Sequence, residues 1–370
     1  MSEPQTPPPG WAWAQQAPPA AVMQVGPVET EPLEYHRLLR GAPRYRWWKP
    51  LLALIIGFFY FLTLSIVVGL VVGIPAMMMS GVDLSDPAAL QDFIAGLALP
   101  DTQNPASILL GLGSVAVMLP ATMLAMMSVG LKPWTRIWSV ALRIRWRWIG
   151  RTVLPAVIAL FVMNGLGIML ELVLTGFGGE APAEAPAGAY DPSLALWSML
   201  FVLLLVPIQS TAEEVVFRGA FMQSLGAWLG GARGQGSFAR FARGPWIPVI
   251  VPALLFGFAH IYDIWGWLSV VALAIVAGWL AWRTGGLEAA ITLHVVNNLV
   301  AFGLMATGVA GPTGQTESTG GPGAAAGSII GLLLFAWWVD RDFRRNDGRR
   351  SRIDRIEAPM TVTAGERADG

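Results

Sequence analysis

Eight apolar segments, most of them about as long as a lipid bilayer is thick, occupy the middle of the 370-residue chain. Because a hydrocarbon core of about 30 Å is crossed by a helix of roughly 20 apolar residues, each segment predicts a membrane-spanning helix. Only 13% of the residues are charged, too few to cover the surface of a soluble protein of this size. The segments lie near 50–78, 107–129, 152–175, 194–212, 246–262, 264–283, 287–309 and 324–339. The predicted fold class is an all-α, polytopic membrane protein with about eight transmembrane helices.

The positive charges lie on one side of the predicted membrane topology. Of the 24 Lys and Arg residues, Arg218 lies within a helix and the other 23 fall in the two ends of the chain and in alternate connections. The opposite connections, near 81–106, 176–193, 262–264 and 310–327, contain none. Basic residues favour the cytoplasmic side, so we expect a multi-pass protein of the cytoplasmic membrane with both termini in the cytoplasm. The lipid bilayer is then its first partner.

Composition divides the chain into three regions. Residues 1–46 contain nine prolines and no apolar periodicity, which predicts a disordered cytoplasmic arm. Residues 47–340 form the predicted transmembrane domain, and residues 341–370 an Arg-rich, disordered cytoplasmic tail. The formal net charge is zero and there is no cysteine, so we expect no nucleic-acid partner, no thiolate nucleophile and no cysteine-based metal site.

Three ionisable residues lie where the fourth apolar segment continues as a helix towards Leu229, and each costs roughly 2.5–3.5 kcal/mol to insert into a membrane. Glu214 and Arg218 are four residues apart, so they share a helix face and can neutralise each other. Glu213 is rotated by about 100° from Glu214 and is the less easily paired carboxylate. We therefore expect Glu213 to be a candidate general base. An ion cluster where the helix leaves the membrane is the structural alternative.

Two of the three histidines also lie in apolar segments. His260 follows Phe256 by one helical turn, and His294 precedes Asn298 by one turn. One carboxylate, two imidazoles and one carboxamide suffice to activate a water molecule and to stabilise a tetrahedral oxyanion inside the bundle. The same residues could instead bind a metal through Glu213, His260 and His294. Further alternatives are a proton-coupled transporter and a non-enzymatic membrane scaffold or immunity protein.

The patterns Glu213-Glu214-x-x-x-Arg218, Phe256-x-x-x-His260 and His294-x-x-x-Asn298 resemble the three ordered motifs of the CAAX protease and bacteriocin-processing family, which includes the type II CAAX prenyl proteases. The resemblance covers about residues 194–309. It implies an intramembrane glutamic endopeptidase, without a cofactor, that cleaves a membrane-associated protein or peptide. It also implies that Glu213 activates water together with His260, that His294 and Asn298 form the oxyanion site, and that Glu214 and Arg218 shape the pocket.

Overall fold

The computed structural model describes residues 22–175, 190–232, 234–308, 311–317, 320–346 and 348–362. The all-α, polytopic prediction is confirmed. The helices of these ranges are α1 (Trp48–Ser80), α2 (Pro87–Ala98), α3 (Pro105–Ala116), α4 (Met118–Ser128), α5 (Trp146–Thr175), α6 (Pro192–Glu214), α7 (Met222–Leu229), α8 (Ser237–Ala242), α9 (Trp246–Phe258), α10 (Ile264–Thr284), α11 (Glu288–Thr307) and α12 (Pro322–Asn346). A π-helical segment, Val215–Phe221, joins α6 to α7, and a 3-10 helix, Tyr35–Gly41, precedes α1.

Within the described ranges, seven helical stretches are long and apolar enough to cross a membrane. They are α1, α3 with α4, α5, α6 continuing to α7, α10, α11 and α12. The predicted span near 246–262 is shorter than expected, because α9 has 13 residues and ends at Phe258. Such a helix is about 20 Å long. The predicted span near 107–129 is divided at Val117, where Pro120 cannot donate to the carbonyl of Ala116.

The strands join the two ends of the chain. Strand β1 (Val22–Glu29) pairs antiparallel with β4 (Arg355–Val362), and β2 (Leu33–Glu34) pairs with β3 (Ser351–Arg352). Both ends of the described chain therefore lie at the same end of the helix bundle. A chain that starts and finishes on one side of a membrane crosses it an even number of times. Seven is an odd number, and α9 is the shorter apolar helix that would make the number of crossings even.

The structure differs from the disordered arm and tail that composition predicts. Residues 22–46 and 348–362 together form what we call the terminal cap. Tyr35 and Leu38 of the 3-10 helix are buried, and this helix packs against α7. A side chain at Gly226 of α7 would collide with the carbonyl oxygen of His36, so only glycine allows this approach. Residues 1–21 and 363–370 of the predicted disordered segments lie outside the described residues.

One buried ion pair ties the terminal cap to the connection between α4 and α5. Arg136 Nη1 donates to Asp354 Oδ2 at 2.7 Å and to the carbonyl oxygen of Leu38 at 3.3 Å. Arg352 Nε donates to the other oxygen, Asp354 Oδ1, at 2.7 Å. Burial alone would raise the pKa of Asp354, but the hydrogen bonds from Arg136 and Arg352 outweigh it and hold this pKa below its usual value. The cap is therefore an integral part of the fold.

The helices that carry the three motifs are neighbours. Helix α6 packs against α3 and α11, α9 packs against α10, and the π-helical segment lies against α9. On the far side, α11 packs against α5, which in turn packs closely against α12. The Glu171 carboxylate of α5 accepts a hydrogen bond from the backbone N–H of Gly323 at 2.8 Å. This contact fixes the start of α12. This packing brings the motif residues of α6, α9 and α11 to one place.

Candidate active site

The change from α-helix to π-helix occurs directly after the two adjacent glutamates. Helix α6 ends at Glu214, and the π-helical segment that follows includes Phe217 and Arg218. A single wide turn of this kind is rare and is found mostly at functional positions. Gly219 allows the segment to approach the loop before α5, because a Cβ atom there would overlap the Ile137 side chain. The two glutamates thus end a regular α-helix, and Arg218 lies on the irregular backbone that follows it.

Glu214 and Arg218 form a buried ion pair. Arg218 Nη1 donates to Glu214 Oε1 at 3.0 Å, and the side chains are 2% and 0% exposed, respectively. The Arg218 guanidinium also lies over the Phe256 ring, 4.4 Å from its centre. A cation–π contact of this kind is attractive and gains strength when it is shielded from water. Arg218 therefore connects the π-helical segment to α9 and compensates the charge of Glu214.

His294 of α11 lies between the two adjacent carboxylates. Its Nδ1 is 2.8 Å from Glu214 Oε1, and its Nε2 is 3.3 Å from Glu213 Oε2. Each ring nitrogen of His294 thus faces one carboxylate, so the imidazole bridges Glu213 and Glu214. This bridge is the central contact of what we call the membrane site: Glu213, Glu214, Arg218 and His294.

The two glutamates differ in their access to solvent. The Glu214 side chain is fully buried, whereas 12% of the Glu213 side chain is exposed. Gln209, one helical turn before Glu213, donates from Nε2 to Glu213 Oε2 at 2.7 Å. Glu213 is thus held by Gln209 and His294, and it is the carboxylate that a water molecule can reach.

His260 lies just beyond the end of α9. Its Nδ1–H donates to the Phe256 carbonyl oxygen at 2.7 Å, and this assignment leaves Nε2 as a hydrogen-bond acceptor. The Phe256 ring is 4.6 Å from the His260 ring and 5.7 Å from the His294 ring. No direct contact between His260 and Glu213 is present among the described residues. The structure therefore joins the second motif to the third through the Phe256 ring.

A cavity of about 220 Å³ opens between α5, α10, α11 and α12. Its polar lining includes His260, Tyr262, Ser269, His294, Asn297 and Asn298. Both motif histidines and the motif asparagine thus face one space, which is large enough for a short stretch of peptide backbone. Glu213 does not line this space and lies next to it through its 3.3 Å contact with His294.

Asn298 belongs to a small polar network with α6. Its Nδ2 donates to Gln209 Oε1 and to Ser210 Oγ, both at 3.3 Å, and Ser210 donates to Gln209 Oε1 at 3.1 Å. Asn297 donates to Asn298 Oδ1 at 3.2 Å. Gln209 is therefore common to the Asn298 network and to the contact with Glu213.

The sequence also indicates Glu213, His260 and His294 as possible ligands of one metal ion, and their positions can be compared with that requirement. Among the residues that the structure describes, no group of three His, Asp or Glu side chains is arranged to hold a metal ion. Glu213 and His294 are adjacent, but His260 is turned toward the Phe256 carbonyl oxygen. The three residues do not fit a shared metal in this arrangement.

Several residues that contact the site lie outside the three sequence motifs. Gln209 lies one helical turn before Glu213, a spacing that predicts a contact on the same helix face. Phe217 packs edge-on against Phe256, with ring centres 5.1 Å apart, and has no sequence signal because phenylalanine is common in apolar helices. Tyr262 stacks on His260 at 5.6 Å from a connecting segment, where periodicity gives no information.

Fold and site together define a polytopic membrane protein with a cluster of ionisable side chains inside its helix bundle. Residues 192–300 match the family model of the type II CAAX prenyl endopeptidases, Rce1-like, and this confirms the predicted resemblance. All the motif residues named above lie in that region. At the level of the family, the match indicates a CAAX-type intramembrane protease.

A curated relative is also similar over part of its length. The uncharacterized protein YyaK of Bacillus subtilis (strain 168) is 26% identical over 117 residues, which cover 30% of this chain and 35% of the relative. The chain thus matches about a third of that protein's length. No solved structure gives a significant match.

Proposed function

We propose that this protein is an intramembrane endopeptidase that hydrolyses a peptide bond of a membrane-associated protein or peptide with water activated by Glu213. The observation that carries the proposal is the His294 bridge, which lies 3.3 Å from Glu213 and 2.8 Å from Glu214. Because Arg218 and His294 both neutralise the buried Glu214, the partly exposed Glu213 is the carboxylate available for proton transfer.

The proposed reaction begins with a water molecule beside Glu213. Glu213 takes one proton from the water while the oxygen attacks the scissile carbonyl carbon. Once Glu213 holds that proton, the Nε2–H of an imidazolium at His294 becomes free to donate to the developing oxyanion, together with the Asn298 amide. His260 accepts a hydrogen bond from the water through Nε2 and orients it. Collapse of the tetrahedral intermediate breaks the C–N bond, and Glu213 returns its proton to the leaving nitrogen.

A second cavity supports a membrane-associated substrate. It has a volume of about 340 Å³, and lies between α1, α4, the π-helical segment and α9. Leu54, Phe58, Phe217 and Phe221 are among its apolar lining residues. The Phe217 ring separates this space from Phe256, which contacts both motif histidines. An apolar part of a substrate could thus be held beside the polar cavity without leaving the bilayer.

The orientation of the protein is part of the proposal. We assign the end of the bundle that carries the terminal cap to the cytoplasm, because the basic residues are concentrated there. The terminal cap and α8 would then face the cytoplasm in a bacterial-type cytoplasmic membrane. Reporter fusions after residues 95, 185 and 318 are expected to report the outside. A cytoplasmic signal from any of them would reject this orientation at that connection.

The test of the mechanism is the Glu213→Gln variant. Glutamine keeps the size of the side chain but cannot take a proton from water, so turnover of a quenched membrane-peptide substrate in liposomes should fall by about 10²–10⁴-fold while binding persists. Comparative membrane proteomics of the wild type and this variant should reveal substrates that remain uncut. Gln103→Glu, in the connection before α3, also changes the charge of the protein by one unit but lies away from the site. This control should keep its turnover.

Two results would overturn the proposal. Near-normal turnover by Glu213→Gln would show that this carboxylate is not the base. Loss of wild-type turnover in a strong chelator, with recovery when zinc is added back, would replace the glutamate mechanism by a metal-dependent one.

A further inference from the structure

Tyr262 lies beside the membrane site without belonging to any of the three motifs. Its ring stacks on the His260 ring with centres 5.6 Å apart and planes inclined by 29°. Both side chains line the polar cavity of about 220 Å³. Aromatic rings at this separation attract one another and restrict each other's orientation.

His260 needs such a restraint because its other contacts leave rotation possible. The hydrogen bond to the Phe256 carbonyl oxygen, at 2.7 Å, fixes the position of Nδ1. Small combined rotations about the χ1 and χ2 bonds can keep this hydrogen bond and still displace Nε2. The 4.6 Å contact with the Phe256 ring is tilted by 56° and does not define a stacking plane. The Tyr262 ring, which is nearly parallel to the His260 ring, defines such a plane.

Tyr262 is itself held by a second connecting segment. Gln315 Nε2 donates to the Tyr262 hydroxyl oxygen at 3.1 Å. The backbone N–H of Gln315 donates to the Pro100 carbonyl oxygen at 2.8 Å, and that of Asp263 donates to the Glu317 carbonyl oxygen at 2.9 Å. The segments before α3, before α10 and before α12 are thus tied together around Tyr262, at the end of the bundle opposite the terminal cap.

We infer that Tyr262 is a positioning residue that sets the plane of the His260 ring and hence the place of its Nε2 atom, with Gln315 holding the tyrosine. The inference rests on the proposed function, because His260 is assigned there to orient the attacking water. The aromatic ring does the positioning, and the hydroxyl group serves only the contact with Gln315. Loss of the ring therefore has a larger effect than loss of the hydroxyl group.

The geometric part of the inference can be tested without a substrate. The chain has three histidines, so the rate at which diethyl pyrocarbonate modifies each one can be followed by peptide mass spectrometry in detergent. Tyr262→Ala should raise the modification rate of His260 by about three- to tenfold, the range that aromatic contacts of this kind support. The rates at His36 and His294 should not change. Tyr262→Phe should behave like the wild type.

A matched control comes from the same end of the bundle. Tyr190 donates its hydroxyl to the Ala306 carbonyl oxygen at 2.6 Å and is not in contact with His260. Tyr190→Ala should leave the His260 rate unchanged. An unchanged His260 rate in Tyr262→Ala would overturn the inference. An equal rise at all three histidines would also overturn it, since the tyrosine would then only stabilise the fold.

Turnover separates this inference from the proposed function. With the quenched membrane peptide, Tyr262→Ala should lower kcat by about tenfold and leave KM unchanged, and Tyr262→Phe should restore kcat. Wild-type kcat in Tyr262→Ala, with Glu213→Gln inactive, would reject the role of Tyr262 and keep the proposed function. An active Glu213→Gln would reject the proposed function, whereas the modification rates would still report whether Tyr262 sets the His260 ring.

Discussion

The membrane site and the terminal cap each contain a buried carboxylate paired with an arginine, but they use the carboxylate oxygens differently. Both oxygens of Asp354 in the cap accept hydrogen bonds, one from Arg136 and one from Arg352. In the membrane site, Arg218 and His294 share one oxygen of Glu214, Oε1, while Oε2 is buried without a partner among the described residues. The Asp354 carboxylate is saturated, as in a structural contact. The membrane site retains capacity for hydrogen bonds, as a site for a substrate requires.

The largest stability effect is expected in the membrane site. Arg218→Ala removes the arginine of a buried ion pair and leaves His294 as the remaining partner of Glu214; breaking a buried pair in this way costs on the order of 3–5 kcal/mol. Abundance and melting temperature in detergent should both fall. Arg345→Ala, at the exposed end of α12, is the control and should have little effect. A normal melting temperature for Arg218→Ala would show that Glu214 does not depend on this arginine, and the contrast with the cap would lose its basis.

The next effect concerns turnover with little change in stability. Asn298→Ala removes one donor proposed for the oxyanion, for which a loss of about 10²–10³-fold in kcat, or roughly 2.7–4 kcal/mol, is typical. The single-turnover rate with the quenched membrane peptide measures it. Asn297→Ala, next along α11, is the matched control. If both variants lose the same activity, the Asn298 amide has no special part in the reaction.

A smaller effect is expected in the terminal cap. Asp354→Asn keeps the shape of the side chain and removes the charge that Arg136 and Arg352 contact, and hydrogen bonds to charged groups contribute about 1.5–3 kcal/mol. Hydrogen exchange should accelerate in residues 33–41, while turnover of the membrane peptide stays normal. Glu29→Gln, which alters an exposed pair of the same cap, should be nearly neutral. Loss of turnover in Asp354→Asn would show that the two regions are coupled.

The last effect is absent at neutral pH and appears on acidification. Burial lowers the pKa of His36 to about 4, against about 6.5 for an unfolded histidine. The docked ring is neutral, so its contribution is complete above pH 6.5 and falls as the pH decreases from 6.5 to 4. Glu34 lies 3.9 Å from Nδ1, and the Arg243 carbonyl oxygen accepts from Nε2 at 3.2 Å. In the wild type, the hydrogen-exchange protection factors of residues 33–41 should fall as the pH decreases over this interval. In His36→Gln they should not fall.

Asp354 titrates in a separate range. Its lowered pKa means that its contribution is present above the unfolded value of about 3.9 and is lost only as the pH falls further. Loss of protection that begins below pH 4 alone would therefore assign the acid sensitivity to Asp354 and remove it from His36.

The membrane site is the part that sequence predicts best. Charged and imidazole side chains are conspicuous in apolar segments, and the helical period places Glu214 and Arg218 on one face. The contact between Glu213 and His294 joins α6 to α11 and needs the packing of the bundle, which no local pattern contains. Tyr262 and Gln315 lie in connecting segments, where the backbone has no period from which a contact could be derived.

The terminal cap is the part that sequence predicts worst. Six of the nine prolines that suggest a disordered arm precede residue 22, so the composition of residues 1–46 conceals an ordered half. The partner of β1 is more than 300 residues away, and a pairing over that distance has no signature in either strand. Arg136 likewise finds Asp354 from the middle of the chain.

The pairing of β1 with β4 also sets the order in which the protein can mature. Translation proceeds at about 5–20 residues per second, and the N-terminal parts of a chain fold first. Glu29 is opposite Arg355, so the ribosome must add more than 300 residues before β1 has its partner, which takes roughly 20–60 s at that rate. Among the described elements, the first to be synthesised is therefore completed by the last. A nascent chain that stops before β4 can insert its helices but cannot close its cap.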